Sequence, residues 1–504
     1  MCSSDLPAVP LRVMQSSGVL RAPAQLRAKD TILSGPAGGL VGAVRTAAAA
    51  GFGRIVGFDM GGTSTDVCYC EGPWPRREQV ELDGVPIQAP MLEIHTVAAG
   101  GGSQLHFDGL RLAVGPQSAG AVPGPACYRR GGPLTLTDAN LLLGRLRPEQ
   151  FPAVFGATGD QPLDAAVVAA GFAQLAQSMG CTPEQAAEGA LAVALERMAE
   201  AIRRISIQRG HDLRQAVLCS FGGAGGQHAC ALAELLGMGQ VLLHPLAGVL
   251  SAYGMGLADE GLLLEEAVEQ PLSAPVLEAL ERRAQAMLQR QAGAETARLE
   301  RLLQLRLAGR DQVLALPWPA HACCRDLQHA FGQAYRRRFG HLPGGDGAAQ
   351  LVVDRLTLQL CWPADPLAGA SPPPSVGAAP QEGEPIELYG EGGWRAARLW
   401  QRAQLQPEQR LEGPALIAES TGTILLPPGW LGRCLPGGEL LLERRPAESA
   451  PPRRPAQAVA SPLDPIRLEL FSHRFTAIAE QMGTRLQQTS ASVNIKEQIG
   501  RAHV

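Results

Sequence analysis

The stretch Phe58–Val67, F-D-M-G-G-T-S-T-D-V, constrains the fold of this chain more than any other. Arg54 to Phe58 reads as a short buried strand that Asp59 closes. The Gly61-Gly62 pair lies between two apolar runs, a hairpin signal, because glycine takes positive φ at either position without steric cost. Val67, Cys68 and Tyr69 read as the returning strand. Three consecutive hydroxyls, Thr63, Ser64 and Thr65, stand between Asp59 and Asp66. Residues without Cβ let backbone N–H groups approach an anion closely, and hydroxyls add donors. A carboxylate at a strand end can hold Mg²⁺, usually through water. Glycines, hydroxyls and acids together are what a turn gripping nucleotide phosphates and their metal requires. The plain alternative is a polar hairpin with no ligand.

At 504 residues the chain is long enough for several domains. The net charge of −4 supplies no global basic field, and an aromatic content of 4% leaves few stacking platforms, so nucleic acid is not an expected partner. Lysine is nearly absent while arginine and alanine are abundant, which reads as the coding bias of a GC-rich bacterial genome. The 11 cysteines are scattered without a C-x-x-C pair, which argues against a zinc ribbon and for reduced thiols in the cytoplasm. No run of about eighteen uncharged apolar residues is present, so no membrane span is expected. No secretory signal is visible.

Other glycine-bearing segments follow the same logic. Ser34 to Ala43, S-G-P-A-G-G-L-V-G-A, opens an alanine-rich helix to about Ala50, with Ser34 as its cap and a first turn of exposed amides. A tight helix-packing turn is the alternative. Gly100, Gly101 and Gly102 follow a strand and predict a loop whose backbone is open to a ligand. Val114 to Gly132 is a long proline- and glycine-punctuated loop, functional or disordered. It carries Cys127, read as a buried structural thiol rather than a nucleophile because no histidine is local. Leu136 to Leu146 starts a helix capped by Thr137 or Asp138; Asp138 and Asn140 face a substrate or metal if capping does not account for them. A helix near Ala186 to Ile205 has core spacing. Val217 to Phe221 is a strand, followed by a turn and helix in F-G-G-A-G-G-Q-H-A-C-A-L-A. That order places Gly222, Gly223, Gly225, Gly226, Gln227 and His228 where a helix N-terminus cradles a nucleotide. His228 is either a ligand or a helix-start residue.

Beyond Asp259 the composition shifts. Leu272 to Arg290 is an amphipathic helix, Leu302 to Leu316 two strands, Asp326 to Phe339 a helix with a basic end, and Leu351 to Leu360 a strand. Asp365 to Pro385 reads as a loose connector and Glu387 to Glu443 as strand-rich. Ala447 to Pro465 is a proline-rich linker, and Ile466 to Glu497 an amphipathic segment.

D-M-G-G-T-S-T-D resembles the signature of the hydantoinase A/5-oxoprolinase family, whose members are similar to actin-like ATPases and sugar kinases. The resemblance extends from about Met14 to Glu497, through the Val114–Gly132 loop, the G-G-Q-H elbow and V-L-L-H-P-L-A-G-V-L-S-A-Y-G. It implies an α/β fold: an actin-like (ribonuclease H-like) lobe, partial, over residues 1–262, then a mixed α/β and β-rich part over 263–446. A linker at 447–465 and the opening of a hydantoinase B region at 466–504 complete the chain. It further implies ATP and Mg²⁺ as cofactors and ATP-driven opening of 5-oxo-L-proline or a related cyclic amide to L-glutamate. Asp59 would hold the metal, with Asp66 and Asp138 beside it as catalytic acids. Gly61 to Thr65 would meet the phosphates, Gly222 to His228 the adenosine, and Gly100 to Gly102 would line the cleft. Residues 34–43 would lie near it.

By this resemblance the first-lobe phosphate hairpin and most of the B region lie outside the chain. Little turnover is then expected from it alone, and the B region is expected as a partner in cis or in trans. A homo-oligomer is also expected. Rival readings are an ATP-dependent hydantoinase or acetone-carboxylase-like subunit and a non-catalytic actin-like nucleotide-binding module.

Overall fold

The computed structural model describes residues 11–72, 74–82, 85–207, 210–291, 293–310, 312–339, 350–363, 382–445 and 464–489. Two expected segments, the connector after Asp365 and the proline-rich linker before Pro465, fall largely outside these residues.

The organising sheet has eight strands. They are β1 (Arg54–Met60), β2 (Thr65–Glu71), β3 (Ile94–Val97), β4 (Val217–Phe221), β5 (Gln240–Leu243), β6 (Arg410–Glu412), β7 (Trp430–Cys434) and β8 (Leu440–Arg444), in the spatial order β6-β7-β8-β5-β4-β1-β2-β3. β1, β4 and β5 run parallel, with Phe221 beside Asp59 and Cys219 beside Leu242. β2 returns antiparallel to β1 with Asp66 opposite Asp59, and β3 adds on antiparallel with Thr96 opposite Asp66.

Helices cover both faces, as parallel strands buried on two sides require. One face carries α1 (Ser34–Ala49), against Ile55, Cys68, Cys219 and Phe221. The other carries α2 (Leu136–Leu142), α3 (Ala165–Met179), α4 (Pro183–Ile205) and α5 (Ala229–Leu236). α4 is the expected core helix. Its start is fixed by Thr182 and Gln185, which bond each other's backbone N–H reciprocally, and Pro183 fits the first turn. The bare-looking start of α1 is different: Ser34 lies inside the helix, Leu33 is the N-cap, and no side chain caps it. Gly38, Gly39 and Gly42 of α1 serve packing. α6 (Leu250–Leu257) crosses α1 so closely that a Cβ on Gly254 would lie 2.0 Å from the Gly38 carbonyl oxygen.

A second sheet of six strands is built on Glu260–Pro271, Leu351–Trp362, Arg298–Leu307 and Val313–Pro317, with Val13–Met14 and Leu20–Arg21 at one edge. α7 (Ala274–Gln289) and α8 (Cys324–Phe339) bury Leu280, Phe331 and Tyr335 against Leu303, Leu305 and Leu358. The helix–strand–strand–helix–strand order expected here is the order found. A four-stranded sheet follows, Glu384–Gly390, Gly393–Gln401, Ala415–Ala418 and Thr423–Leu426.

One boundary is redrawn by the topology. The expected β-rich part at 263–446 is not a separate unit throughout, because β6, β7 and β8 return to the first sheet and β8 pairs antiparallel with β5. The apolar alternation of Leu440 and Leu442 is satisfied by the core of the first lobe. Strand pairing over such a sequence distance leaves no local signal.

α9 (Pro465–Thr489) is an ordered helix docked on α4. Ile466 fills the space over Gly189, Arg474 pairs with Glu196 at 3.0 Å, and Arg204 pairs with Glu480 at 2.6 Å. Phe471, Phe475, Ile478, Met482 and Leu486 face solvent, between 52% and 69% exposed. The apolar surface expected of this segment is therefore present, on a helix whose other face is held.

Candidate nucleotide site

The hairpin between β1 and β2 ends in an open tip. Strand β1 continues through Asp59 to Met60, so the turn is Gly61-Gly62-Thr63-Ser64, closed by the Gly61 amide donating to the Ser64 carbonyl at 3.1 Å. Gly62 and Thr63 are exposed, and nothing stands within 4 Å of a Cβ placed on Gly62. Thr65 departs from expectation. It is the first residue of β2, fully buried, and its hydroxyl donates inward to the Ala99 carbonyl. It braces the turn and offers nothing to a phosphate.

Asp59 and Asp66 are direct cross-strand partners and share one face of the sheet. Burial raises the Asp59 carboxyl to about 6, the Asp66 charge adds to this, and a hydrogen bond from the Ser251 hydroxyl at 3.2 Å opposes it. Burial also raises Asp66, against a hydrogen bond from the Thr96 hydroxyl at 2.6 Å. Two half-buried carboxylates raised by desolvation, one of them also by the charge of the other, are a place where a cation relieves the penalty.

The second glycine segment meets the first directly. Gly222 has φ of +79°, and a Cβ there would lie 2.4 Å from Asp59 Oδ1 and 2.5 Å from the Met60 carbonyl oxygen. Only glycine lets the end of β4 turn this tightly against the acid. The Ala224 amide donates to Met60 at 3.0 Å, so elbow and hairpin are stitched together. Gly222 and Gly223 reach the surface. Gly225, Gly226, Gln227 and His228 do not: they form a buried turn under the elbow, with Gly226 against Thr423 and Ile424. His228 sits in the core with Asn140 Nδ2 3.3 Å from its Nε2, and burial, with Arg145 nearby, lowers it to about 3. It is a neutral core histidine, and these four residues support the elbow from within.

Gly100, Gly101 and Gly102 are likewise buried. The Gly101 and Gly102 amides donate to the Gly61 and Gly62 carbonyls at 3.0 and 2.6 Å, and the Gly100 amide donates to Ser103 Oγ at 2.9 Å. The backbone expected to be open is spent holding the hairpin tip from behind.

Asp138, expected as a catalytic acid, is placed as a structural anchor away from the open tip. Its carboxylate is fully buried and accepts from the amides of Ala126, Cys127 and Thr135 at 3.1, 2.8 and 2.8 Å and from the Thr135 hydroxyl at 2.9 Å. Thr135 is the N-cap of α2 and Asp138 its third residue, so one carboxylate caps the helix and pins the Cys127 loop. Cys127 is fully buried, and burial followed by the Asp138 charge pushes its thiol far up, as expected of a structural cysteine.

Two contributors were not anticipated. Ser251 on α6 reaches Asp59. The turn Glu419–Thr423 packs on the elbow: a Cβ on Gly248 would lie 2.1 Å from Thr421 Oγ1, and one on Gly422 2.6 Å from the Gly223 carbonyl oxygen. Glu419 is anchored by Arg402 at 3.0 Å, which also donates to the Leu243 and Gly438 carbonyls. Ser420 and Thr421 stay exposed beside Gly223. The Thr421-Gly422-Thr423 string echoes the hydroxyl-and-glycine composition of the hairpin and is the signal that points to it.

Among the described residues no group of three or more His, Cys, Asp or Glu stands at metal-holding distance. Mg²⁺ carried by a nucleotide needs only one or two carboxylates, and the Asp59–Asp66 pair beneath an open turn fits it. No helix of the described residues is long and apolar enough to cross a membrane.

Residues 2–261, which contain the α/β lobe with its glycine-hydroxyl hairpin and glycine elbow, match the family model described as hydantoinase/oxoprolinase. The chain belongs to the hydantoinase/oxoprolinase family. Residues 358–434 match the C-terminal domain of that family and 464–500 the hydantoinase B/oxoprolinase model.

Among curated proteins, the chain is 39% identical to the 5-oxoprolinase of Pestalotiopsis fici over 98% of its own length and 40% of that protein. It is 36% identical to the 5-oxoprolinase of Dictyostelium discoideum, over 98% and 41%. It thus spans about two fifths of these relatives. Such relatives lend no support to the bacterial source read from the arginine bias. Among solved structures, the ATP-dependent caprolactamase of Pseudomonas jessenii superposes with a TM-score of 0.73 at 30% identity, covering 86% of this chain and 65% of that one. Nucleotide-free acetone carboxylase gives 0.63 at 23%, covering 86% and 64%, a likeness of fold.

Proposed function

We propose that this chain is the nucleotide-binding part of an ATP-dependent enzyme that opens a cyclic amide, 5-oxo-L-proline, to L-glutamate. The observation that carries the reading is the contact of hairpin and elbow: Gly222 lies against Asp59, so the tip amides, the acid pair and the elbow border one open face. An unstrained amide resists water, and Mg-ATP supplies, when bound, the phosphoryl group that makes its carbonyl carbon attackable. In such transfers the protein positions groups and neutralises charge. The amides of Gly62 and Thr63 and the Ser64 hydroxyl would meet phosphate oxygens. Asp59 would hold Mg²⁺ with Asp66 beside it. Gly222, Gly223 and the Ser420–Thr421 turn would border the nucleoside. Names of relatives favour the substrate: two 5-oxoprolinases, and an ATP-dependent caprolactamase that is itself named for a lactam.

The apolar stripe of α9 would seat the rest of a hydantoinase B region, supplied in cis or in trans. The ten free cysteines among the described residues suit a reducing compartment such as the cytoplasm. A homo-oligomer is part of the proposal.

The test is a chimera in which residues 11–489 replace the matching segment of the Dictyostelium 5-oxoprolinase. Glutamate release from 5-oxo-L-proline that requires Mg-ATP is the expected result. Release from caprolactam alone would move the substrate assignment, and nucleotide binding without any lactam opening would favour a non-catalytic module.

A further inference from the structure

Ser251 has no assigned role, and its position is unusual for a serine at the start of a helix. α6 begins at Leu250 with Val249 as N-cap, and no side chain caps it. The Ser251 hydroxyl is therefore not used for the task that serines near helix starts commonly perform. It donates instead to Asp59 Oδ2 at 3.2 Å, across a sequence separation of 192 residues.

The approach that makes this contact is built into the backbone. α1 and α6 touch through glycines on both helices. A Cβ on Gly38 would lie 2.6 Å from the Ser251 carbonyl oxygen, and one on Gly42 would lie 2.8 Å from the Leu250 carbonyl oxygen. One on Gly39 would lie 2.9 Å from Ser251 Oγ. A larger residue at Gly38 or Gly42 forces the α6 backbone outward and one at Gly39 crowds the hydroxyl itself and the Phe221 ring, and a bond already at 3.2 Å would be lost. Among the described residues the groups seen to face Asp59 are Asp66 on β2, the Gly222 backbone at the end of β4, and Ser251 on α6. Of these only the hydroxyl is attractive. It holds Oδ2 and leaves Oδ1 on the side where the elbow turns.

We propose that Ser251 is a positioning residue: it fixes the orientation of the Asp59 carboxylate toward the metal of a bound Mg-nucleotide. The inference rests on the preceding reading that Asp59 holds that metal. Partners that orient a metal-holding group typically govern affinity by about 10- to 100-fold, and a single hydroxyl belongs at the lower end.

The experiment is calorimetric titration of the full chain with ATP in excess Mg²⁺ and again in EDTA, for wild type and Ser251→Ala, with a thermal melt of each. The wild-type chain should bind ATP more tightly with Mg²⁺ than without. Ser251→Ala should lose about 10-fold in the Mg²⁺ titration and less than about twofold in EDTA, at an almost unchanged melting temperature. Gly39→Ala, which displaces the hydroxyl without removing it, should show the same split. If Ser251→Ala keeps the full Mg²⁺ increment, or weakens both titrations equally, the positioning role is wrong while the Asp59 assignment survives. If the wild-type chain shows no Mg²⁺ increment, the metal role of Asp59 falls and this inference falls with it.

Discussion

Two glycine runs, Gly61-Gly62 and Gly100-Gly101-Gly102, lie back to back in this molecule and do opposite things. Both end a strand, and in the sequence both read as backbone offered to a ligand. The first forms an exposed tip with free space around Gly62. The second is buried, and each of its amides is already bonded, two of them to the carbonyls of the first. At the tip neither Gly61 nor Gly62 takes the positive φ that the pair suggested and a Cβ on Gly62 would have room, whereas behind it glycine is required by close approach. A buried amide is nearly always paired, so the run with partners in the protein has none left for a ligand. The same contrast separates two acids. Asp138 spends both oxygens on capping and loop anchoring, whereas Asp59 has one hydroxyl donor and a like-charged neighbour.

The largest expected effect tests the buttress against the tip. A Cβ on Gly100 would lie 2.7 to 2.8 Å from backbone atoms of Thr63 and Gly62, which cannot yield without moving the turn. Gly100→Ala should cost about 3 kcal/mol or more in urea denaturation, whereas Gly62→Ala should cost under about 0.5 kcal/mol. Equal costs would erase the distinction.

Next come the acids. Asp138→Asn places an amide NH₂ against backbone donors in a fully buried site and should destabilise by about 2–4 kcal/mol. Asp59→Asn should do the reverse at neutral pH. The folded-state value of about 6 lies above the ordinary 3.8, so the fold binds this proton more tightly than the unfolded chain does. That contribution is present below pH ~4 and lost as pH rises through about 6, a fall of up to about 3 kcal/mol. The asparagine variant lacks the fall, so it should be the more stable protein at pH 8 and gain nothing at pH 3.5. A melt series across pH decides the sign. Its Mg²⁺-dependent ATP affinity should be lost, a functional acid held at a cost to the fold.

How much of this was legible before folding follows from the range of each interaction. The hairpin, the elbow, the helices α4 and α9, and the strand–helix order of the second sheet depend on neighbours in sequence, so periodicity and punctuation revealed them. The capping role of Asp138 was legible, because Thr135 is three residues away, but the roles of Gly101, Gly102 and the buried Gly225–His228 turn did not appear, because what they pack on or bond to lies far along the chain. The return of β6, β7 and β8 to the first sheet and the arrival of Ser251 at Asp59 leave no local signal, and the only pointer to Thr421 is its hydroxyl-and-glycine string. Thr65 misled through its company: three hydroxyls in a row suggested three donors, but strand alternation turns the last one inward.

The smallest effect on stability is expected at α9, where the contrast is between the docked and the open face of one helix. Phe475→Asp changes a residue that is 69% exposed, so the fold should shift by less than about 0.5 kcal/mol. Self-association of the isolated chain in sedimentation should fall if the stripe is an interface. Ile466→Asp, on the face that packs over Gly189, should instead release the helix, seen as new protease cleavage between residues 465 and 489.

The most direct measurement is a crystal structure of the chain grown with Mg²⁺ and a non-hydrolysable ATP analogue. The account predicts phosphate oxygens within hydrogen-bonding distance of the Gly62 and Thr63 amides, the metal on the Asp59 side of the turn, and no ligand atom against Gly100–Gly102. A nucleotide seated elsewhere, or one that enters by displacing the glycine triplet from the hairpin, would contradict it.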